Sequence, residues 1–316
     1  MSVVLREKLE ALKDQHDVLT LIFRGLEKEG LRVDANGKIT QTDHPYGLGS
    51  ALTHSAITTD YSEALLELIT PVHSDPNQLL QDLADLHAFV HREMPGDETI
   101  WAGSMPCAVH GEESIRIACY GESNSGRLKH IYRVGLAHRY GRIMQSIAGL
   151  HYNFSLGNRF WLALRDCDPA MQSLGKGSDP ENLQHFKTEN YFGLIRNFRR
   201  WSWLLMYLFG ASPVFHESFL DGKPHRMQKI ADDALGLPYA TSLRMSDLGY
   251  QNNAQASLKI CFNHLRTYIN TLYEATHTPY PKYQKLGVME NGEYKQLNAN
   301  LLQIENEYYN TIRPKR

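Results

Sequence analysis

Val4, Leu5, Leu9 and Leu12 recur at helical spacing over residues 3–15, and a second helix is predicted over 77–93, behind the start signal Ser74-Asp75-Pro76. Between them the texture is that of strands. Residues 21–33 and 38–42 flank Asp34-Ala35-Asn36-Gly37, where Asn-Gly would supply the positive-φ residues of a tight hairpin. Residues 64–70 (ALLELIT), closed by Pro71, form a short apolar run of the kind expected for a strand buried on both faces. The loop 121–126 leads into a helical pattern over 127–147. A strand over 150–156 follows, with His151, Asn153 and Ser155 alternating with Tyr152, Phe154 and Leu156. Further helices are predicted over 159–171, 181–209 and 253–276. A second hairpin is expected around Glu290-Asn291-Gly292-Glu293, and a last strand over 301–309. Strands are grouped rather than alternating strictly with helices, and neither repeat nor linker interrupts them. The pattern predicts one α+β domain over 1–316, a mixed, largely antiparallel sheet with helices packed around it.

Composition narrows the class. The chain has 33 Lys plus Arg against 35 Asp plus Glu, a net charge of −2, and 42% hydrophobic residues. That balance lacks the basic footprint of a nucleic-acid binder and carries too much apolar surface for a disordered chain. Cys107, Cys119, Cys167 and Cys261 never form a C-x-x-C pair, so a reducing compartment is expected. The first twenty residues are charged and helical, unlike a signal peptide. The apolar stretch 201–209 falls well short of the roughly 20 residues of a membrane span. A cytoplasmic protein without membrane or nucleic-acid partners is the expectation.

The chemistry begins at Glu27 and Glu29. On a strand they share one face, about 6.6–6.8 Å apart along the backbone. Carboxylates about 5 Å apart at an effective dielectric near 20 repel by about 3 kcal/mol, so the pair either faces solvent or holds a cation. Glu67 lies inside the apolar run 64–70, where an unpaired carboxylate is costly to bury. Asp60 stands at that strand's entrance, and His151 opens another strand with Asn153 on the same face. Alone, Asp60 reads as a cap and His151 as a core residue. Together, four carboxylates and one imidazole suggest a hard-cation site, with Mg²⁺ favoured over Zn²⁺.

Magnesium in turn suggests nucleotide phosphates, yet no Walker A motif exists. Residues 121–128 have the glycine spacing without the Lys and Ser/Thr, and Gly47-x-Gly49 lacks a third glycine. Arg133 beside Tyr132, Gln145 on the same helical stretch, and Arg244 between Tyr239 and Tyr250 offer guanidinium forks suited to a small amino-acid substrate, although each could equally form a surface ion pair.

Eight blocks, RGLEKEGLRV, LGSALTHSAITTDYSEALLELITPV, SMPC, YGESNSGRLKHIYRVGL, RYGRIMQSIAGLHYNFSL, YLFGASP, LPYATSLRMSDLGY and LLQIENEYYNTIRPKR, occur in this order, and together the chain closely resembles the proteobacterial type of glutamate–cysteine ligase. The resemblance runs from about residue 20 to 316. It implies a glutamine synthetase-like fold and ATP- and Mg²⁺-dependent joining of the L-glutamate γ-carboxylate to the L-cysteine amine, the first step of glutathione biosynthesis. Mn²⁺ is an alternative metal. The resemblance puts metal ligands at Glu27, Glu29, Asp60, Glu67 and His151. Arg133 and Arg244 are implied to fix substrate carboxylates and stabilise negative charge, and Tyr132, Gln145, Asn153, Tyr250 and Tyr309 to line the substrate pocket. Tyr61 stands where one member of the family has a phenylalanine near the cysteine side chain, and the resemblance places it in the substrate pocket.

Longer members of that family continue past the position of Arg316 with a further metal-bridging Glu and an ATP-contacting Arg, so the resemblance also implies a complementing C-terminal segment or chain. The ATP contacts in the present residues are not assigned. Two expectations follow: an ATP-dependent ligase, or a shortened relative that binds amino acid or a partner chain without turnover.

Overall fold

The computed structural model describes residues 3–168, 180–246, 255 and 258–315. Its spine is the long strand β1 (Ile22–Val33). Strand β3 (Leu65–Ile69) pairs antiparallel along one edge of β1, with β2 (Ile57–Thr59) beyond it. Strand β4 (Thr99–Ile100) and strand β5 (Leu150–Leu156) pair antiparallel with the other edge. The α+β class with largely antiparallel pairing follows from this ladder.

Strand parity divides the sheet into two environments. Leu66 and Leu68 of β3 pack with Ile57, Leu48, Val90 and Met94 beneath helix α3. That helix runs Pro76–Glu93; the Asp75 side chain caps it by accepting from the Asn77 N–H at 2.8 Å. The alternate residues face the main core, where Leu31, Val33 and Leu65 meet Ile115, Ile143, Ile147 and Phe215. Glu27, Glu29 and Glu67 have the parity of this second set, so the sheet face that is apolar at Leu31 and Leu65 turns acidic further along the same strands.

The remaining elements surround this sheet. N-terminal helices α1 (Val3–Leu12) and α2 (His16–Leu19) precede β1. Helix α4 (Asn124–Tyr140) starts earlier than the sequence pattern predicts, because the Ser123 side chain caps it by accepting from the Gly126 N–H at 3.1 Å. It also stops earlier. Gly141 takes φ of 83° and donates to the Ala137 carbonyl, and the predicted extension to 147 becomes a 3₁₀ turn over Ile143–Ser146.

Helices α5 (Asn158–Asp166), α6 (Pro180–Phe209), α7 (Leu265–His277) and α8 (Pro281–Leu286) follow. The helix predicted over 253–276 is therefore helical only from Leu265 among the described residues. Phe192 and Ile195 of α6 form a second core with Tyr268 and Leu272 of α7 and with Leu302. A small sheet, β6 (Val214–His216), β7 (Gln228–Ala231) and β8 (Ala234–Gly236), sends Phe215 and Leu235 into the main core.

The two hairpin signals resolve differently. At Asp34–Lys38 only Gly37 takes positive φ, 72°, while the Asp34 carboxylate holds the N–H groups of Asn36 and Lys38. The second arm, expected over 38–42, shrinks to isolated bridges at Lys38 and Ile39. Between β9 (Met289–Glu290) and β10 (Glu293–Tyr294), Asn291 and Gly292 both take positive φ, 53° and 85°.

The strand expected over 301–309 is absent; a 3₁₀ turn over Glu305–Glu307 replaces it. The reason is a buried polar network. Glu307 Oε1 accepts from Arg139 at 3.0 Å and from the Tyr140 hydroxyl at 2.5 Å, and Oε2 accepts from the Gln303 backbone N–H. The backbone is thus held by α4 rather than by a ladder.

Arg32 of β1 and Glu98 form another buried pair at 2.7 Å, with side chains 0% and 1% exposed. Arg32 also donates to the carbonyls of Thr42, Asp43 and Glu63. Glu98→Ala would leave that guanidinium buried with only neutral acceptors, the Thr42 hydroxyl and three carbonyls. Urea unfolding is expected to show a loss of about 3–5 kcal/mol; a loss within 1 kcal/mol, the scale of exposed pairs, would show that the pair does not hold the hairpin to the sheet.

Candidate active site

The register of β1 assembles the acidic face. Glu29 stands opposite Glu67 of β3, Glu27 opposite His151 of β5, and Thr58 of β2 opposite Glu67. Ligand atoms of Glu27, Glu67 and His151 lie within 4.8 Å of one another. Glu27 Oε2 is 3.2 Å from His151 Nδ1, and Oε1 accepts from Asn153 Nδ2 at 2.9 Å and from Lys315 Nζ.

Glu29, 8% exposed, accepts from the Gly149 N–H at 2.5 Å. A Cβ on Gly149 would lie 2.9 Å from Arg244 Nη2 and 3.1 Å from Glu29 Oε2, so any side chain there would displace one or both of these groups. Asp60 sits at the entrance to β3, its N–H donating to the Leu65 carbonyl. Its own carbonyl accepts from Arg133 Nε and from the Tyr120 hydroxyl.

Gathering these groups shifts their protonation. Burial, then the neighbouring Asp60 charge, pushes Glu29 from an ordinary 4.5 up to about 8, while Arg244 and the Gly149 N–H oppose the rise. Burial, Asp60 and Glu27 push Glu67 up to about 7. Glu27 moves the other way, to about 2, because the His151 hydrogen bond leads over burial, aided by Lys315 and Asn153. His151 is raised by the same bond, against burial, with Glu29 and Glu67 adding to it. Two carboxyls that would be charged in water are thus held partly protonated by desolvation and like charge. A divalent cation would remove that conflict, and oxygen donors with one imidazole fit Mg²⁺ or Mn²⁺.

Two arginines flank the acids. Arg133 of α4 lies over the Tyr120 ring at 4.7 Å, donates to the Lys129 carbonyl at 2.9 Å, and carries positive charge toward Glu67. Arg244 comes from a 3₁₀ turn over Leu243–Met245, which Leu243 anchors in the main core and the Leu243 N–H ties to the Ser212 carbonyl at 2.8 Å.

The other sequence-derived positions spread around this centre. Asn153 bonds Glu27 directly. Tyr132 is adjacent to Arg133 on α4, and its carbonyl accepts from Gln303. Gln145 is buried in the 3₁₀ turn after α4. Tyr61 is 1% exposed in the main core, its hydroxyl in the fields of Arg142, Glu112 and Arg133. Tyr309 is tied to Gln255 through its backbone N–H. Tyr250 lies outside the described residues.

Sequence reasoning missed three contributors. Gly149 precedes β5 with no motif to single it out, and Tyr120 precedes a glycine-rich loop that drew attention instead. Lys315 falls in the last of the eight blocks, where neither spacing nor the resemblance gives it a role.

A family model described as glutamate-cysteine ligase matches residues 9–316. The glutamate–cysteine ligase of Hahella chejuensis is 65% identical over 317 residues, covering 100% of this chain and 59% of that protein. The Pseudomonas entomophila glutamate–cysteine ligase is 53% identical over 316 residues, covering 100% of this chain and 58% of that protein. The chain thus spans under two thirds of the length of these relatives. Among solved structures, glutamate–cysteine ligase from Francisella tularensis in complex with AMP superposes with a TM-score of 0.82 at 41% identity, covering 93% of this chain and 56% of that one. A bifunctional glutathione synthetase from Pasteurella multocida gives a TM-score of 0.69 at 30% identity, covering 86% of this chain and 33% of that one.

The shifted carboxyls set a pH dependence. Glu29 and Glu67 bind protons more tightly folded than unfolded, so their contribution is fully present below about 4.5 and is lost as pH rises through about 7 and about 8. Glu27 acts oppositely, and its contribution is lost as pH falls from about 4.5 through about 2. Metal-free unfolding free energies measured in urea should therefore decline between pH 5 and 8, and Glu67→Gln should flatten the decline. An equal slope in both proteins would contradict the electrostatic account.

Proposed function

The chain belongs to the glutamate–cysteine ligase family, and from that premise we propose that residues 1–316 belong to a single catalytic domain, completed by a C-terminal segment or chain, that carries out the ATP-dependent joining of the L-glutamate γ-carboxylate to the L-cysteine amine. The observation that carries this reading is the convergence of Glu27, Glu67 and His151 within 4.8 Å on adjacent strands, with the charge of Arg133 acting on Glu67 and that of Arg244 on neighbouring Glu29. An oxygen-rich cation site flanked by guanidinium groups suits a phosphorylated carboxylate and not a neutral ligand.

The chemistry needs activation first, because a carboxylate is a poor acyl donor. A γ-carboxylate oxygen of glutamate attacks the terminal phosphorus of ATP, releasing ADP and forming an acyl phosphate. The cysteine amine then attacks the acyl carbon, loses a proton, and phosphate departs. Mg²⁺ held by Glu27, Glu29, Asp60, Glu67 and His151 would supply charge neutralisation to the transferring phosphoryl group.

The protein's own groups do the rest. Arg133 is oriented by the Asp60 and Lys129 carbonyls and the Tyr120 ring, and Arg244 by its anchored turn; both are assigned to hold substrate carboxylates and to stabilise negative charge at the reacting centre. Asn153 and His151 hold the Glu27 carboxylate in a fixed orientation. Tyr132, Gln145, Tyr250 and Tyr309 are assigned to the pocket wall, and Tyr61 to its base on the cysteine side. Among the described residues no helix is long and apolar enough to cross a membrane. With unpaired cysteines, this supports a cytoplasmic site of action.

ADP and γ-glutamylcysteine release by the purified chain, alone and after addition of the C-terminal part of a longer relative, given ATP, Mg²⁺, glutamate and cysteine, tests the reading; ADP release dependent on both amino acids is expected once that part is present, and saturable amino-acid binding without turnover under either condition would overturn it. Glu67→Gln should weaken Mn²⁺ binding by at least about tenfold, since losing a ligand should cost no less than losing a supporting partner. Unchanged Mn²⁺ affinity would sink the metal assignment. Arg244→Lys should raise the glutamate Kd about tenfold, because a point charge cannot reproduce a bidentate fork; equal calorimetric binding would refute its role.

A further inference from the structure

Lys315 reaches across 288 positions of sequence to donate from Nζ to Glu27 Oε1. The two partners differ sharply in environment: the Lys315 side chain is 55% exposed and that of Glu27 12%. The same Glu27 oxygen accepts from Asn153, and the other faces His151, so among these three partners the ammonium brings a permanent charge on a long, half-exposed side chain. The backbone leading to it is anchored, since Ile312 packs against the core of Phe192, Tyr268 and Leu272, and Arg313 Nη1 donates to Asn306 Oδ1 at 3.3 Å. The ammonium can therefore leave Glu27 by rotation of its own stem, without unfolding the segment that carries it.

We propose that Lys315 is the resident counter-ion of the acidic cluster, and that a divalent cation binding at Glu27, Glu67 and His151 must displace it. The inference rests on the metal reading of the site given above. An ammonium on a Glu27 oxygen and a divalent ion on the same carboxylate are like charges a few ångströms apart, and their repulsion makes the two occupancies compete. Lys315 neutralises the cluster when the metal is absent and lowers the affinity with which the metal enters. Metal binding in turn frees the ammonium to solvent or to an anion brought beside the metal.

The test is Mn²⁺ titration by calorimetry of the chain and of its Lys315→Met, Lys315→Arg and Glu67→Gln variants at one ionic strength. Lys315→Met should bind Mn²⁺ about tenfold more tightly, as removing one nearby positive charge predicts. Lys315→Arg keeps the charge and should stay within about twofold of the parent. A second readout uses the unmodified chain: acetylation of Lys315 by an activated ester, followed by mass spectrometry, should accelerate when Mn²⁺ is added. Equal or weaker Mn²⁺ binding by Lys315→Met, or an acetylation rate indifferent to Mn²⁺, overturns the competition. If Glu67→Gln also binds Mn²⁺ like the parent, the metal reading itself has failed. If Glu67→Gln is impaired while Lys315→Met is unchanged, only the role of Lys315 has failed.

Discussion

Like charge held at short range on one face of a sheet is the constraint around which this molecule is organised. Glu27 and Glu29 share a face because β1 is extended, and Glu67 joins them because β3 pairs with Glu67 opposite Glu29. A slip of one residue in either pairing would turn an acid toward α3 and a leucine toward the site. The apolar halves of the strands prevent that slip: Leu66 and Leu68 are buried under α3, while Leu31 and Leu65 are buried in the main core. Hydrophobic burial thus sets the register, and the register sets the electrostatics.

Several polar devices keep this face in place. The Arg32–Glu98 pair ties β1 to the segment before β4 at the end where the strand is apolar. At the acidic end, Gly149 lets the chain pass between Glu29 and Arg244, giving its N–H to the carboxylate. Helix α4 is fixed from behind by Arg139, whose guanidinium stacks on Tyr283 and bonds Gln296 and Glu307. That network orients the turn of α4 that presents Tyr132 and Arg133.

The cations around the acids differ in how firmly they are held. Arg244 is set by a turn anchored in the core, Arg133 by carbonyls and an aromatic ring, and Lys315 only by a half-exposed stem. The fixed arginines are suited to substrate carboxylates, and the loosely held lysine is the one that a metal can replace. Within the glutamate–cysteine ligase family frame, this division separates binding of anions from entry of the cation.

Much of this was legible one residue at a time. Strand alternation over 150–156 set His151 and Asn153 on one face, and the isolated acid in ALLELIT pointed to neutralisation of Glu67, because period-two patterns and buried charge are local properties. The same local reasoning failed at 301–309 and at 141–147. There, Glu307 and Gly141 answer to α4 partners and a positive φ that no neighbouring residue announces. Sequence by itself determined the acids, their parity and the family. Only the tertiary structure decided that Glu29 meets Arg244 across Gly149 and that Lys315 lies on Glu27, because such meetings depend on loop closure and charge balance between segments far apart in the chain.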